Sequence, residues 1–360
     1  MVLQWAARSM ALAKREAVLS IALLLAVVSA CFVPPSAAYF GYIDWNTLAL
    51  LFSLMVVMKG YQRAGVFLCL ANGLLLGVLV FLPFGLSMVV TNDVALLTFV
   101  PFGLLVLRMA GQGRQVVPLV VMQTLAANLG SMLTPMGNPQ NLYLYGKSGM
   151  GFGGLCLLML PYVAVAGGCL AVALLLRRPS PVQAPAVPGT LAGPRQLTLC
   201  TLGFGLCLLG LFQVVNALVV CAILALFLLL TDRALLASVD YSLLGVFAAF
   251  FIFIGNLSGV EGFQSILSGA LTGHVELVAV LASQVTGNVP AALLLSGFTN
   301  QWAPLIVGCN LGGLGTLIAS MASLISYKQL ARGRYFMVFT LCNVGMLALL
   351  LGLSALLGGG

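Results

Sequence analysis

Apolar residues fill whole segments of this chain, and polar positions fall mostly between the segments. Residues 17 to 33, 152 to 176 and 335 to 356 each approach or exceed the roughly 20 residues that cross about 30 Å of hydrocarbon as helix. Comparable spans are read at 43 to 58, 115 to 146, 197 to 212, 214 to 230, 240 to 257 and 302 to 327. Lipid offers no partner for backbone amides, so only helices or a closed barrel can cross it, and the period-two alternation of a barrel is absent. The pattern predicts an all-α integral membrane protein with about nine full spans.

Polar clusters interrupt this pattern inside apolar territory. The segment "ANLGSMLTPMGNPQNLYLY", residues 127 to 145, carries Thr134, Pro135, Gly137, Asn138, Pro139, Gln140 and Asn141, which predicts a broken helix over 115–146. The block 64–107 has Thr91, Asn92 and Asp93 near its middle, and the block 262–299 holds "QVTGNVPAALL". Both read as re-entrant hairpins with an internal tip.

Composition agrees: 62% of the 360 residues are hydrophobic, 6% are charged, and the mean hydropathy is +1.16. The net charge of +8 does not point to nucleic acid, because the Lys and Arg residues lie singly or in pairs at the ends of apolar segments. There they report topology. Arg8, Lys14 and Arg15 place the N-terminus in the cytoplasm, and the alternation that follows puts the C-terminus outside; only Lys147 falls on the wrong side. The first apolar run imitates a secretory signal ending in "VSAC" at Cys31 but reads better as an uncleaved first helix. Nine Cys form no CxxC pair and His274 is the only histidine, so neither a metal site nor thiol redox chemistry is expected. No Ser/His/Asp set, carboxylate pair or ligand cluster supports an enzyme.

A Pro-rich stretch at 177–196 divides the chain into a first half, 1–176, and a second half, 197–360, as a cytoplasmic linker would. Sliding "ANLGSMLTPMGNPQNLYLY" by 182 residues sets it on "CNLGGLGTLIASMASLISY". That match pairs Asn128 with Asn310, Gly130 with Gly312, Thr134 with Thr316 and Tyr145 with Tyr327. A slide of 196 pairs Ser87 with Ser283 and Asn92 with Asn288. Charge places the first hairpin on the cytoplasmic side and the second outside, so the expectation is of inverted repeats, each with a re-entrant hairpin and a broken helix. That is the plan of a secondary transporter with a midplane site.

Interrupted helices supply the chemistry such a site needs. Free amides and the positive dipole end at each helix start attract an oxyanion, while unwound carbonyls and Ser, Thr and Asn oxygens suit a hard cation. Four breaks are read: Ser87 to Asp93, Gly137 to Asn141, Ser283 to Asn288, and Ala319 to Ser323. The substrate candidates are Thr91, Asn92, Asp93, Thr134, Pro135, Asn138, Pro139, Asn141, Asn288, Ser320 and Ser323. Asp93 and Asn288 could equally be helix caps, and Pro135 and Pro139 ordinary kinks. Asp93 is the one acidic residue placed deep in the membrane; Glu276 and His274 are read as lying near the mouth of the outer hairpin, in a solvated position or else in a proton relay, the solvated position being favoured.

"TNDVALLTFVPF", "GSMLTPMGNPQNL", "GNVPAALLL" and "NLGGLGTLIASMASLIS" resemble the ion transporter superfamily of citrate and dicarboxylate carriers, arsenite permeases and sodium/proton antiporters, from about residue 40 onward. In the dicarboxylate carriers a Ser-Asn-Thr triplet marks each tip; here the triplets read Thr91-Asn92-Asp93 and Gly287-Asn288-Val289. The resemblance implies one sodium site at Ser87, Thr91, Asn92 and Gly137 and a second at Ser283, Thr286, Asn288 and Ala319, with no other cofactor or metal; Asp93 departs from the family's neutral residue and, by its place in the membrane, is a candidate to carry a proton or help hold the cation. It also points to a homodimer in the inner membrane. The expected function is secondary active transport of a small anion, coupled to sodium or protons. The alternatives are a sodium/proton antiporter and an arsenite exporter.

Overall fold

The computed structural model describes residues 17–64, 76–109, 112–176, 193–257, 261–330 and 333–358, and among these there is no strand. The basic N-terminal residues, most of the Pro-rich linker and the start of the block 64–107 lie outside the described residues. Helices α1 (Ala17–Ala30), α2 (Ala38–Tyr42) and α3 (Trp45–Arg63) lead to α4 (Leu76–Leu86) and α5 (Asn92–Met109). There follow α6 (Val116–Gly130), a 3-10 turn at Pro135–Gly137, α7 (Pro139–Ser148) and α8 (Phe152–Leu175). The second part runs through α9 (Pro194–Leu211), α10 (Ala217–Thr231), α11 (Arg233–Ala237), α12 (Tyr241–Leu257) and α13 (Glu261–Leu271). It closes with α14 (Val275–Thr286), α15 (Asn288–Leu295), α16 (Trp302–Leu311), α17 (Met321–Leu330) and α18 (Gly333–Leu356).

Among the described residues, Phe152–Leu175, Pro194–Leu211 and Arg334–Leu356 are long and apolar enough to cross a membrane unaided; other apolar helices are shorter. Their surfaces fit lipid. Leu218, Val219, Ile223, Leu226 and Leu230 of α10 and Met337, Leu341 and Val344 of α18 are exposed, while Asn, Ser and Gln side chains are buried elsewhere. This reverses the usual distribution of a soluble protein.

Contacts divide the chain into two compact units, each drawing on residues before and after the linker. The first comprises residues 1–59 and 203–270. Here α12 packs along α1 and α2, and the Asn256 amide donates to Ser29 Oγ at 3.0 Å and to the Tyr39 hydroxyl at 2.8 Å. Gly210 on α9 allows close approach to Leu50 and Val220, and α10 starts on an Asn216 cap whose Oδ1 accepts from the Leu218 amide. The second unit comprises residues 60–202 and 271–360 and holds all four helix breaks. In it α6 packs against α4 and α5, and α16 packs against α14 and α15.

Candidate functional site

The first break is a gap between α6 and α7 rather than a kink at proline. Its backbone leaves the helix at Ser131, makes the 3-10 turn and re-enters at Pro139. Pro135 and Pro139 occupy the first positions of the two elements that follow them, where the missing amide costs nothing and the fixed φ favours a helical start. The gap therefore lies about a turn before the Gly137-to-Asn141 position read from the sequence. It rests on the Ser87–Thr91 turn between α4 and α5. Thr134 Oγ1 donates to the Met88 carbonyl, and a Cβ on Gly137 would collide with the carbonyls of Ser131 and Ser87. Gly130, at the end of α6, meets Phe84 and the Ser87 hydroxyl just as closely.

Unwound backbone in an apolar interior needs substitute partners. Asn141, fully buried, supplies them from the helix that follows: its Nδ2 faces the carbonyls of Ser131, Thr134 and Met132 at 3.2, 3.4 and 3.5 Å. Asn138 Nδ2 adds a 3.4 Å contact to Ser131 Oγ.

The second break occupies residues 312–320, again upstream of the position read from the sequence, with Gly315 at φ +100°, a conformation that favours glycine. Its partner is the α14–α15 pair, which bends at Gly287, φ +94°, inside "QVTGNVPAALL". Gly312 packs on Ser283, whose Oγ would lie 2.6 Å from a Cβ, so the contact between Gly130 and Ser87 has a counterpart. The Asn288 amide donates to the Ala319 carbonyl at 2.9 Å. Here Gln284 of α14 satisfies the unwound chain: Nε2 donates to the carbonyls of Gly312 and Leu314, both at 2.9 Å, and Oε1 accepts from the Thr316 amide at 2.9 Å.

Two buried asparagines join the breaks to each other. Asn128 of α6 donates to Ser323 Oγ at 3.2 Å, and its Oδ1 accepts from Ser320 Oγ at 3.1 Å and from Asn92 Nδ2 at 3.0 Å. Asn310 of α16 donates to Asn141 Oδ1 at 2.7 Å. The 182-residue slide that pairs Asn128 with Asn310 also pairs Asn141 with Ser323, so these two bonds correspond, whereas Asn138, paired with Ser320, bonds Ser131 instead. The helices after the breaks cross over accordingly: α7 packs on α15 and α16, and α17 packs on α5 and α6.

This geometry gathers Asn92, Ser320 and Ser323 around Asn128; Ser87, Thr134, Gly137 and Asn138 around the first gap; and Asn288 with Ala319 at the second. Asp93 sits half-buried in the first turn of α5, its backbone amide donating to Asn92 Oδ1 at 2.9 Å. Thr91 is half-buried in the turn before it. The hydroxyls of Ser283 and Thr286 turn back onto α14, donating to Ala279 and Ala282, and Thr286 is exposed.

Of the residues that hold the breaks open, the sequence singles out Asn141 but not Gln284. Asn128 and Asn310 were visible as a repeat match, while Gln284 gave no signal beyond being a polar residue next to a tip. Gln140 is fully buried, and neither Nε2 nor Oε1 has a partner among the described residues; the same holds for Asn310 Oδ1. Such amide atoms are costly in an apolar interior and mark where a polar ligand would be welcome. One placement is reversed. Glu276, read as solvated, is 6% exposed and accepts from Ser354 Oγ at 2.8 Å. It is the only buried acidic or basic side chain among the described residues, because packing of the start of α14 against Gly308 draws it inward.

Exposed apolar helix faces, together with buried Asn, Ser and Gln side chains at the helix breaks, define a helical membrane protein. The comparisons agree. A family model described as "Citrate transporter" matches residues 5–306, and the chain belongs to that family. It is 31% identical over 351 residues to the inner membrane protein YbiR of Escherichia coli K12, covering 90% of this chain and 91% of that one. It is also 31% identical over 299 residues to a protein of Methanocaldococcus jannaschii named as an uncharacterized transporter, MJ0456, covering 80% and 82%. The protein is a membrane transporter, not an enzyme.

Proposed function

We propose that the protein is a secondary active transporter that moves a small anion, an organic acid or inorganic oxyanion, across the inner membrane by alternating access, coupled to sodium or protons. The observation that carries this reading is the matched pair of bonds, Asn128 to Ser323 and Asn310 to Asn141, each joining a helix that ends at one break to the helix that starts at the other. In this reading the halves are inverted repeats, α4–α5 and α14–α15 are their re-entrant hairpins, and the breaks face one midplane site. The starts of α7 and α17 offer amide donors and positive dipole ends to an oxyanion, without a buried Lys or Arg among the described residues. Ser87, Thr91 and Asn92 offer hard oxygens to a sodium ion travelling as cargo. The second set is poorer, because Thr286 is exposed and turned onto its own helix. A sodium/proton antiporter is the second reading, favoured by one observation: the Asp93 carboxylate stands beside Asn92 at the start of α5.

Uptake into proteoliposomes tests this, with citrate, succinate, sulfate and arsenite offered under sodium and pH gradients imposed separately. Concentrative uptake of one anion under either gradient is expected. Exchange of sodium for protons with no anion flux would sink the anion reading in favour of the antiporter.

A further inference from the structure

Away from the breaks, the structure holds a buried acidic group with an ordered set of hydroxyls. Glu276 Oε2 accepts from Ser354 Oγ of α18 at 2.8 Å, and Ser354 Oγ accepts from the Tyr162 hydroxyl of α8 at 3.0 Å. Ser354 and Glu276 are buried, and the Tyr162 side chain is 4% exposed. Three helices thus meet in a chain of hydrogen bonds that runs from Tyr162 through Ser354 to one carboxyl. Among the described residues no Lys, Arg or His forms an ion pair with it. The elements around it bring no compensating charge. Helix α15 carries no titratable residue; α16 carries Cys309; α8 carries Cys156 and Cys169 besides Tyr162; and α18 carries Tyr335, Cys342 and Arg334, the last at its opposite end. His274 stands at the N-cap position of α14 and is exposed, as are Thr272 and Gly273, so the chain reaches the surface two residues from Glu276.

A carboxyl in such surroundings pays heavily for its negative charge and is stable when protonated. The hydroxyls make both forms tenable, since Ser354, itself held by Tyr162, can donate to the anion and rotate to accept from the acid. A purely structural role, accepting from Ser354, would be served as well by Gln. An ionisable residue kept inside a membrane bundle and next to an exposed turn has the features of a site that takes and releases a proton.

We propose that Glu276 is a proton-binding site that loads and unloads from the Thr272–His274 side during the transport cycle, with Ser354 and Tyr162 as its positioning residues. The step moves one proton between bulk water and the carboxylate and nothing else. It deepens the transporter reading above, on which its link to transport rests, by making protons a coupling ion. The carboxyl stands roughly 15 Å along α14 from the bend at Gly287. It joins the central network through packing: the Glu276 carbonyl would lie 2.5 Å from a Cβ on Gly308, and two residues further on Asn310 holds Asn141.

The test begins without substrate. Infrared difference spectra of the purified protein in lipid, stepped in pH, should show a buried carboxylic acid carbonyl band that disappears on raising the pH. Glu276→Gln should abolish that band. Ser354→Ala should shift its frequency, which keeps the assignment testable if the glutamine variant does not fold. A titrating band left unchanged by both substitutions, or no band at all, overturns the proposal whatever the protein carries. In proteoliposomes, one coupled proton changes the accumulation ratio about tenfold per pH unit of imposed gradient. Glu276→Gln should remove that response while leaving exchange of labelled for unlabelled substrate. An unchanged pH response also overturns the proposal, whereas failure of every anion to enter wild-type vesicles overturns the anion reading and leaves the infrared result standing.

Discussion

The two helix breaks meet the same physical demand by different means. At 131–138 the unwound carbonyls are held from within the same segment, by the Asn141 side chain of the helix that follows. At 312–320 they are held from outside it, by Gln284 reaching across from α14. The first break is thus a rigid insert with its own satisfaction built in, and the second keeps its shape only while α14 stays beside it. That difference follows from composition: prolines begin both elements of the first break and Asn141 serves its carbonyls, whereas the glycine-rich second break has from its own side chains only Thr316 Oγ1, which accepts from the Ala319 amide at 3.2 Å.

The sharpest challenge to this comparison is Asn141→Ala. It strips partners from three carbonyls and from Asn310 in a fully buried setting, so a loss of about 3–5 kcal/mol is expected. A large drop in the thermal unfolding midpoint in a fixed detergent would register it. Gln284→Ala should cost less, about 2–3 kcal/mol, because Thr316 is exposed and water can serve its amide. If the order of these two variants were reversed, the first break would not be the self-supporting one. Next come the cross-ties. Double-mutant cycles of Asn128→Ala with Ser323→Ala and of Asn310→Ala with Asn141→Ala should each give a coupling of about 1 kcal/mol, with the 2.7 Å bond to Asn141 the stronger. Couplings near zero would remove the link between the breaks. The smallest effect on stability is expected at Gln140→Leu, between no change and a gain of about 1 kcal/mol, because neither amide atom has a partner to lose. Uptake should nonetheless fall; unchanged uptake would show that the amide does not face the solute.

Much of this was legible in the sequence because lipid imposes simple rules. Apolar runs predicted helices, and polar clusters within them predicted breaks that the structure contains. The slide by 182 residues went further than helix prediction could, since Asn128 with Asn310 and Asn141 with Ser323 form bonds of the same kind. The exact gaps were not legible. Pro135 and Pro139 were read as breaking what they in fact begin, a property of the proline ring that depends on which side of the gap it falls. Gln284 could not be found from pattern, because its role depends on α14 lying next to residues 312–316. Glu276 was misplaced for a related reason: charge near a helix start reads as solvated unless another element covers it, and Ser354, 78 positions further on, was not a neighbour that local sequence could reveal.

The crossover of α7 and α17 has a consequence for how the molecule is made. While only the residues up to Ser148 have left the ribosome, Asn141 has no Asn310 to receive and Asn128 has no Ser320 or Ser323. Both must wait in the bilayer for chain synthesised later. The interior of the transporter is therefore among the last parts to be completed, and a nascent chain stalled before residue 323 would present an unclosed polar seam to the machinery that inspects membrane proteins.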